Sequence, residues 1–239
     1  KAGFNKSKVL NPQLPLEEIY GCLPRERTQT YDTYNLLNHL VDANSMDEYK
    51  KEYGKTIITT YAKIDGWSVG IIANQRKVVK SKTGEMQFGG VIYGDSADKT
   101  TRFIANCNQR NIPLVFLQDV TGFMVGSKAE HGGIIKDGAK MVNAVSNSVV
   151  PKFTIVIGNS FGAGNYAMCG RSFDPRFMVA WPTAKIAVMG GTQASDVLLQ
   201  IEKASSNKAN KKTQEQKEED LKKEIQVRYE EKTKILYAA

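Results

Sequence analysis

The feature that most constrains the fold is an alternation, after residue 95, between strand-like and helix-like patterns. The strand-like stretches are short apolar runs, and the helix-like stretches repeat apolar residues at helical spacing. Strands are predicted at 112–117, 152–157, 177–180 and 186–189, and helices at 95–110, 130–147, 163–169 and 192–201. Such alternation predicts an α/β layer with mostly parallel strands.

The flanking segments follow other patterns. Residues 56–61 and 67–73 predict two strands joined at Asp65-Gly66, a strong hairpin signal, and residues 31–53 predict two helices. Residues 1–30 predict a linker or arm from a preceding N-terminal domain, and 31–239 form the main domain, of which 208–239 is a long polar helix. Because Lys1 is not a start methionine and the last residues break off a helical pattern, we expect a piece of a longer polypeptide.

Composition narrows the class of partner. The formal charge of +8 suits anionic ligands such as phosphates, nucleotides or nucleic acid. Many lysines of the polar tail alternate with acids, which is typical of a solvated helix face, and no aromatic residues are interleaved as in nucleic-acid-binding segments. Nucleic-acid binding is therefore not favoured, and the charge keeps no assigned role.

No stretch reaches the ~20 apolar residues of a membrane span. Cys22, Cys107 and Cys169 are widely separated, which favours unpaired thiols in a reducing compartment.

Three glycine-rich clusters are the candidate chemical sites. They cover residues 119–126, 131–138 and 158–165, and each follows a predicted strand or opens a predicted helix. Ligands of open α/β sheets favour the crevice at the carboxyl ends of the strands. A helix N-terminus there leaves backbone N–H groups unpaired, and two adjacent amides can stabilise a developing oxyanion. Tight packing alone also explains any one such cluster.

Other chemistries lack their motifs. Ala167 stands where a dinucleotide fingerprint beginning at Gly162 needs its last glycine, and no P-loop sequence occurs. Ser160 lacks the first glycine of a nucleophile elbow. His39 and His131 are the only histidines, and no metal-ligand spacing is present, so we predict no metal in this domain. His131 opens a Gly-Gly turn, and its direct role stays open. Once these motifs are set aside, catalysis by backbone amides is the mechanism that the sequence leaves open.

Four separated motifs resemble one family. Residues 119–126, 131–141, 158–170 and 181–191 together are similar to the C-terminal half of biotin-dependent acyl-CoA carboxyltransferases, and the resemblance extends back to 15–21 and 31–66. The amino-acid sequence of residues 121–126 and 164–171 is most similar to that of methylcrotonoyl-CoA and geranyl-CoA carboxylase β subunits. Propionyl-CoA carboxylase relatives usually carry proline where this chain has Thr121.

The resemblance implies a crotonase-like α/β fold of repeated β-β-α units and transfer of CO₂ from carboxybiotin to an acyl-CoA. It implies that the backbone N–H groups of Ala163 and Gly164 form the biotin-side oxyanion hole. It also implies that a further set of residues lies near the biotin or the dimer interface: Gly122, Phe123, Val125, Gly132, Gly133 and Gly162.

The implied partners supply what this chain lacks. They are an N-terminal carboxyltransferase domain that binds acyl-CoA, a biotin carboxylase and biotin carrier subunit, and further copies in a homo-oligomer with the site at the dimer interface. The chain alone is expected to be inactive. The implied compartment is the mitochondrial matrix in a eukaryote and the cytoplasm in a bacterium. A biotin-dependent decarboxylase α subunit of the glutaconyl-CoA type and a non-catalytic assembly domain remain alternatives.

Overall fold

The architecture is that of a computed structural model, which describes residues 6–24, 26, 29–205 and 211–238. Its strands are β1 Asp47–Glu48, β2 Ile57–Ile64, β3 Trp67–Asn74, β4 Val79–Lys80, β5 Met86–Gln87, β6 Val91–Ile92, β7 Leu114–Val120, β8 Gly122–Phe123, β9 Lys152–Phe161, β10 Phe177–Ala180 and β11 Lys185–Ala187. Its α-helices are α1 Thr33–Leu40, α2 Gly94–Gln109, α3 Ser127–His131, α4 Ile134–Ser146, α5 Gly162–Ala167, α6 Gly191–Ser205, α7 Lys211–Thr233 and α8 Ile235–Ala238. Short 3₁₀-helices cover Leu16–Cys22 and Arg171–Phe173.

The main sheet grows from the predicted hairpin. β2 pairs antiparallel with β3 over their whole length, and Asp65 and Gly66 both adopt positive φ, as the tight turn between two twisted strands requires. Within the described residues, seven strands form this sheet in the order β1-β2-β3-β7-β9-β10, and β11 also pairs with β9. The pairs from β3 to β10 are parallel, which confirms the predicted parallel layer.

The central strand β7 is buried on both faces, as expected of a covered parallel strand. Its alternate side chains enter two separate cores. Leu114 and Phe116 pack with Phe103 of α2 and Met141 of α4, whereas neighbouring β7 side chains pack on the opposite face with α1 residues such as Leu36. The sheet therefore lies between α2 and α4 on one side and α1 on the other.

One prediction from the sequence is wrong. Residues 31–53 hold one α-helix, α1, rather than two; the stretch with Met46 and Tyr49 contains β1, because the backbone N–H of Tyr49 donates to Thr59 O and draws this segment to the edge of β2. The polar tail contains the predicted long polar helix as α7, and the short helix α8 follows it after Lys234, where the backbone bridges to Lys185. Residues 206–210 and 239 of that prediction lie outside the described residues.

Candidate active site

The candidate site is built around α5, which begins directly where β9 ends. Gly162, the first residue of α5, has φ +50, a conformation that favours glycine. A Cβ atom at Gly162 would also lie 2.8 Å from the backbone oxygen of Val188. Both constraints make glycine the residue that lets the chain turn from β9 into α5 beneath the loop after β11.

Within the described chain, the N-terminus of α5 has no side-chain cap. Phe161 precedes it and makes no capping hydrogen bond, whereas Asp32 caps α1 by accepting a hydrogen bond from the N–H of Tyr34. The first N–H groups of a helix have no acceptor within the helix. Ala163 is exposed, and Gly164 is buried behind it. Among the described residues, this end of α5 therefore offers backbone donors without a capping side chain that competes for them.

Gly164 is held between two neighbouring segments. A Cβ atom there would lie 2.7 Å from Val120 Cγ2 and 3.3 Å from the Cα of Gly122. The absence of a side chain at Gly164 thus lets α5 approach the end of β7 and the start of β8 closely.

A cleft of ≈ 630 Å³ opens beside this helix end. Its wall is mainly apolar, and its lining residues are Val91, Thr121, Gly122, Phe123, Met124, Val125, Phe161, Gly162, Ala163, Val188, Met189, Gly190, Gly191 and Gln193. Within the described part of the chain, none of these lining residues is ionisable. The volume is in the range of small-molecule and cofactor sites. Hydrogen-bonding chemistry in this cleft must come from the backbone and from the uncharged side chains of Thr121 and Gln193.

One wall of the cleft depends on a close contact between β8 and α4. β8 pairs in parallel with β6, so that Gly122 lies opposite Val91 and Phe123 opposite Ile92. The ring of Phe123 packs against Gly138, where a Cβ atom would lie only 2.9 Å from Phe123 Cε1. Gly138 therefore provides the space that the ring of Phe123 occupies.

Most of the site residues implied by the sequence are brought together here. Gly122, Phe123, Val125, Gly162 and Ala163 line the cleft, and Val125 is 76% exposed. Gly164 lies just behind the lining, against Gly122.

Gly132 and Gly133 do not line the cleft. Gly132 is the C-cap of α3, and Gly133 has φ +92 as the N-cap of α4, so both have a local role in joining the two helices. His131, the last residue of α3, is exposed and also lies outside the lining.

Sequence reasoning missed the part of the lining that comes after β11. Val188, Met189, Gly190 and Gly191 reach the cleft because β11 pairs with the end of β9, a long-range pairing. The tandem glycines after a predicted strand were the signal that could have indicated them.

A second, smaller cleft of ≈ 70 Å³ lies on another part of the sheet and includes an ionic cluster. Asp119 accepts hydrogen bonds from the Tyr31 hydroxyl at 3.0 Å and from the Asn159 N–H at 2.9 Å, and it forms an ion pair with Arg76 at 3.3 Å. Burial, followed by the nearby Asp119 carboxylate, raises the pKa of Tyr31 well above its ordinary value. Because the charges of Asp119 and Arg76 are committed to each other, this cluster serves to join segments of the chain.

Among the described residues, no group of three or more His, Cys, Asp or Glu side chains could hold a metal ion. No described helix is both long enough and apolar enough to cross a bilayer.

The fold and the backbone-lined cleft define a class of protein. The carboxyl transferase domain family matches residues 5–239, and the chain belongs to this family, whose fold is crotonase-like. The mitochondrial methylcrotonoyl-CoA carboxylase β chain of Dictyostelium discoideum is 47% identical over 228 residues, which are 95% of this chain and 36% of that protein. The chain thus spans about a third of the length of this curated relative.

Solved structures agree with this assignment. The β subunit of P. aeruginosa geranyl-CoA carboxylase is 35% identical, with a TM-score of 0.83, and the match covers 99% of this chain and 42% of that subunit. The transcarboxylase 12S structure, described as a hexamer with methylmalonyl-CoA bound, is 31% identical with a TM-score of 0.79 over 98% of this chain and 42% of that one.

Proposed function

We propose that this chain is the biotin-binding half of a carboxyltransferase that moves CO₂ from carboxybiotin to an acyl-CoA of the methylcrotonoyl type. The observation that carries the proposal is a cleft that contains an uncapped helix N-terminus and no ionisable lining residue in the described chain. An acid–base or metal mechanism needs ionisable side chains. Stabilisation of an oxyanion by backbone N–H groups needs none.

The cleft fits the group that the proposal requires. A ring system with an apolar body and a polar ureido head needs an apolar wall and a few hydrogen-bond donors. Phe123, Val125 and Val188 supply apolar wall, and α5 supplies donors. In the proposed arrangement, the N–H groups of Ala163 and Gly164 donate to the ureido oxygen, and Gly122 and Gly162 allow close approach of the backbone.

Each part of this chain then has a limited task. Biotin, when bound, carries the CO₂ and offers its ureido nitrogen as a base. The amides of α5 would stabilise negative charge on the ureido oxygen, and the apolar wall would keep water from the CO₂ and from the reacting carbon. The proton lost by the acyl-CoA carbon would pass to the ureido nitrogen, and the electron pair left on that carbon would form the new bond to CO₂.

The remaining parts of the machinery belong to partners. We propose that an N-terminal carboxyltransferase domain binds the acyl-CoA and supplies donors for its thioester oxygen, at an interface within a homo-oligomer that includes Gly132 and Gly133. A biotin carboxylase and a biotin carrier subunit supply the carboxylated cofactor. We expect the mitochondrial matrix as the compartment in a eukaryote and the cytoplasm in a bacterium.

The substitution Ala163→Pro tests the role of the amide. Proline is tolerated in the first turn of a helix but removes the backbone N–H. In the full-length subunit with its biotin-carrying partner, we expect kcat for CO₂ transfer to fall by about 10²–10³, the usual effect of losing one oxyanion donor. Ala163→Ser keeps the N–H and is the matched control. Full activity of Ala163→Pro would refute the assignment of the oxyanion hole.

The two alternatives predict other outcomes. A glutaconyl-CoA-type decarboxylase would run the transfer in the opposite direction, and a pure assembly domain would form the oligomer without any transfer. The decarboxylase is not favoured, because a methylcrotonoyl-CoA carboxylase β chain is 47% identical to this chain, whereas a methylmalonyl-CoA decarboxylase α subunit is 38% identical.

A further inference from the structure

The pairing of β7 with β9 breaks just before α5. The two strands pair regularly up to Gln118 and Val156, and they pair again at Val120 and Ser160. Two steps along β7 therefore correspond to four steps along β9. Such an irregularity bends a strand and redirects the chain beyond it. Here it directs the end of β9 into α5.

Side chains hold the chain where this ladder is interrupted. Gln118 and Ser160 are both 0% exposed, and the Ser160 hydroxyl donates to Gln118 Oε1 at 2.6 Å. The Gln118 amide nitrogen donates to the backbone oxygen of Met168 at 2.7 Å, and Asn165 Nδ2 donates to Ser160 Oγ at 2.7 Å. Met168 is the C-cap of α5, and Asn165 lies within α5.

This hydrogen-bond chain contacts α5 at two separate points. Gln118 holds its C-terminal end, and Ser160 holds Asn165 one residue after Gly164. Apolar packing is non-directional and would tolerate small rotations of a six-residue helix. Hydrogen bonds weaken steeply when their angles change, so two such contacts fix both the axis and the rotation of α5.

We propose that Gln118, Ser160 and Asn165 are positioning residues for carboxyl transfer, because they set the orientation of α5 and so the direction of the Ala163 and Gly164 N–H groups. This inference rests on the proposed function of those amides. An oxyanion donor acts over a narrow range of distances, and a rotation of α5 therefore reduces stabilisation of the transition state without removing any group that contacts the ligand.

Steady-state kinetics of the full-length subunit with its biotin-carrying partner test the inference. Ser160→Ala removes the link between β7 and Asn165, and Gln118→Met keeps a side chain of similar length but makes neither hydrogen bond. We expect kcat to fall about 10- to 100-fold in each variant, with KM for the acyl-CoA within twofold of the parent value. Asn165→Ala loses a single hydrogen bond and provides a milder variant if the other two do not fold; we expect a fall in kcat of about fivefold or more.

Thr59→Val is the matched structural control. Thr59 is 0% exposed on β2, away from α5, and among the described residues its hydroxyl makes one hydrogen bond, to Tyr49 O. We expect it to lower the midpoint of thermal unfolding about as much as Ser160→Ala does, with kcat unchanged. If the Ser160, Gln118 and Asn165 variants that fold keep kcat within twofold of the parent while losing stability as Thr59→Val does, their role is structural only and the inference is overturned. Ala163→Pro tests the proposed function separately. Full activity of Ala163→Pro would refute the oxyanion hole itself. An inactive Ala163→Pro together with an active Ser160→Ala would refute only the positioning role.

Discussion

Gly158 lies so close to Asp119 that a Cβ atom on Gly158 would be 2.4 Å from the carboxylate carbon of Asp119. The two residues stand on neighbouring strands, at the irregular pairing that precedes α5. Asp119 also binds Tyr31, Asn159 and Arg76, so it cannot move without breaking several contacts.

Gly158→Ala is therefore expected to destabilise the protein. Adding a methyl group to a tightly packed site typically costs about 1–3 kcal/mol, and the constrained Asp119 favours the upper part of that range. Urea unfolding followed by circular dichroism measures the change. Gly21→Ala is the control, because no described residue other than its chain neighbours lies within 4 Å of a Cβ at Gly21. Equal stability of the Gly158 and Gly21 variants would show that Asp119 can move aside.

Gly138→Ala is expected to displace the ring of Phe123 and narrow the cleft. Alanine in the middle of α4 gains about 1 kcal/mol of helix propensity over glycine, but the contact with Phe123 opposes that gain. In the full subunit we expect weaker binding of biotin, measured by calorimetric titration. In a Phe123→Ala background, the same substitution has no ring to displace and becomes neutral or stabilising, which a double-mutant cycle detects. An unchanged biotin affinity in the single variant would contradict the assignment of Phe123 to the cleft wall.

Lys99 gives a pH-dependent prediction. It is 0% exposed in α2, and among the described residues its Nζ has no hydrogen-bond partner. Burial lowers the pKa of Lys99 to about 8. The nearby carboxylates of Glu48 and Asp95 favour the charged form and offset part of this decrease in the pKa. Below pH 8 the ammonium is charged in both the folded and the unfolded state, so its full burial penalty opposes folding. Between pH 8 and the pKa that Lys99 has in the unfolded chain, the unfolded state binds more protons than the folded state does. The free energy of unfolding therefore rises with pH in this range.

We expect Lys99→Met to stabilise the protein by about 1–3 kcal/mol at pH 7, since it removes this penalty. The gain over the parent protein shrinks as the pH rises from about 8 to 10.5. Unfolding experiments at several pH values measure it. Lys80→Met, at an exposed position on β4, is expected to change little at any of these pH values. A gain that is independent of pH would mean that Lys99 is not penalised by its charge.

Substrate choice provides the fourth prediction. With the full-length subunit and its biotin-carrying partner, we expect kcat/KM to be higher for methylcrotonoyl-CoA than for propionyl-CoA by about tenfold or more, a difference typical of a pocket that distinguishes small apolar groups. Geranyl-CoA belongs in the same assay, because a geranyl-CoA carboxylase subunit has a similar fold. Absence of transfer to all three substrates would favour an assembly role, and decarboxylation of glutaconyl-CoA in their place would favour the decarboxylase alternative.

The sequence predicted those parts of the fold that depend on local signals. The Asp65-Gly66 turn and the alternation of strands and helices are encoded by neighbouring residues, and both are confirmed. The second helix predicted in residues 31–53 failed because pairing of Tyr49 with Thr59 on β2 overrides the helical spacing of its side chains.

The candidate site was only partly predictable for a similar reason. Glycine clusters identified Gly122 and Gly162, whose positive φ is a local property. Val188 and Met189 reach the cleft only through the pairing of β11 with β9, and Gln118 meets Ser160 only across the irregular pairing of β7 with β9. No pattern in one stretch of sequence reports contacts between segments that are far apart in the chain.

The lack of ionisable residues in the cleft lining has a consequence for how ligands bind. Coulomb attraction between exposed charges is largely screened beyond about 8 Å at physiological ionic strength, so only charges close to the cleft, such as the Glu230 carboxylate beside Gly191, act on a ligand there. Affinity for a ligand held there then depends on shape, apolar contact and backbone hydrogen bonds. Such binding is expected to depend less on salt than binding between charged side chains does, and a competing molecule gains from a negative charge only where that charge meets the N–H groups of α5.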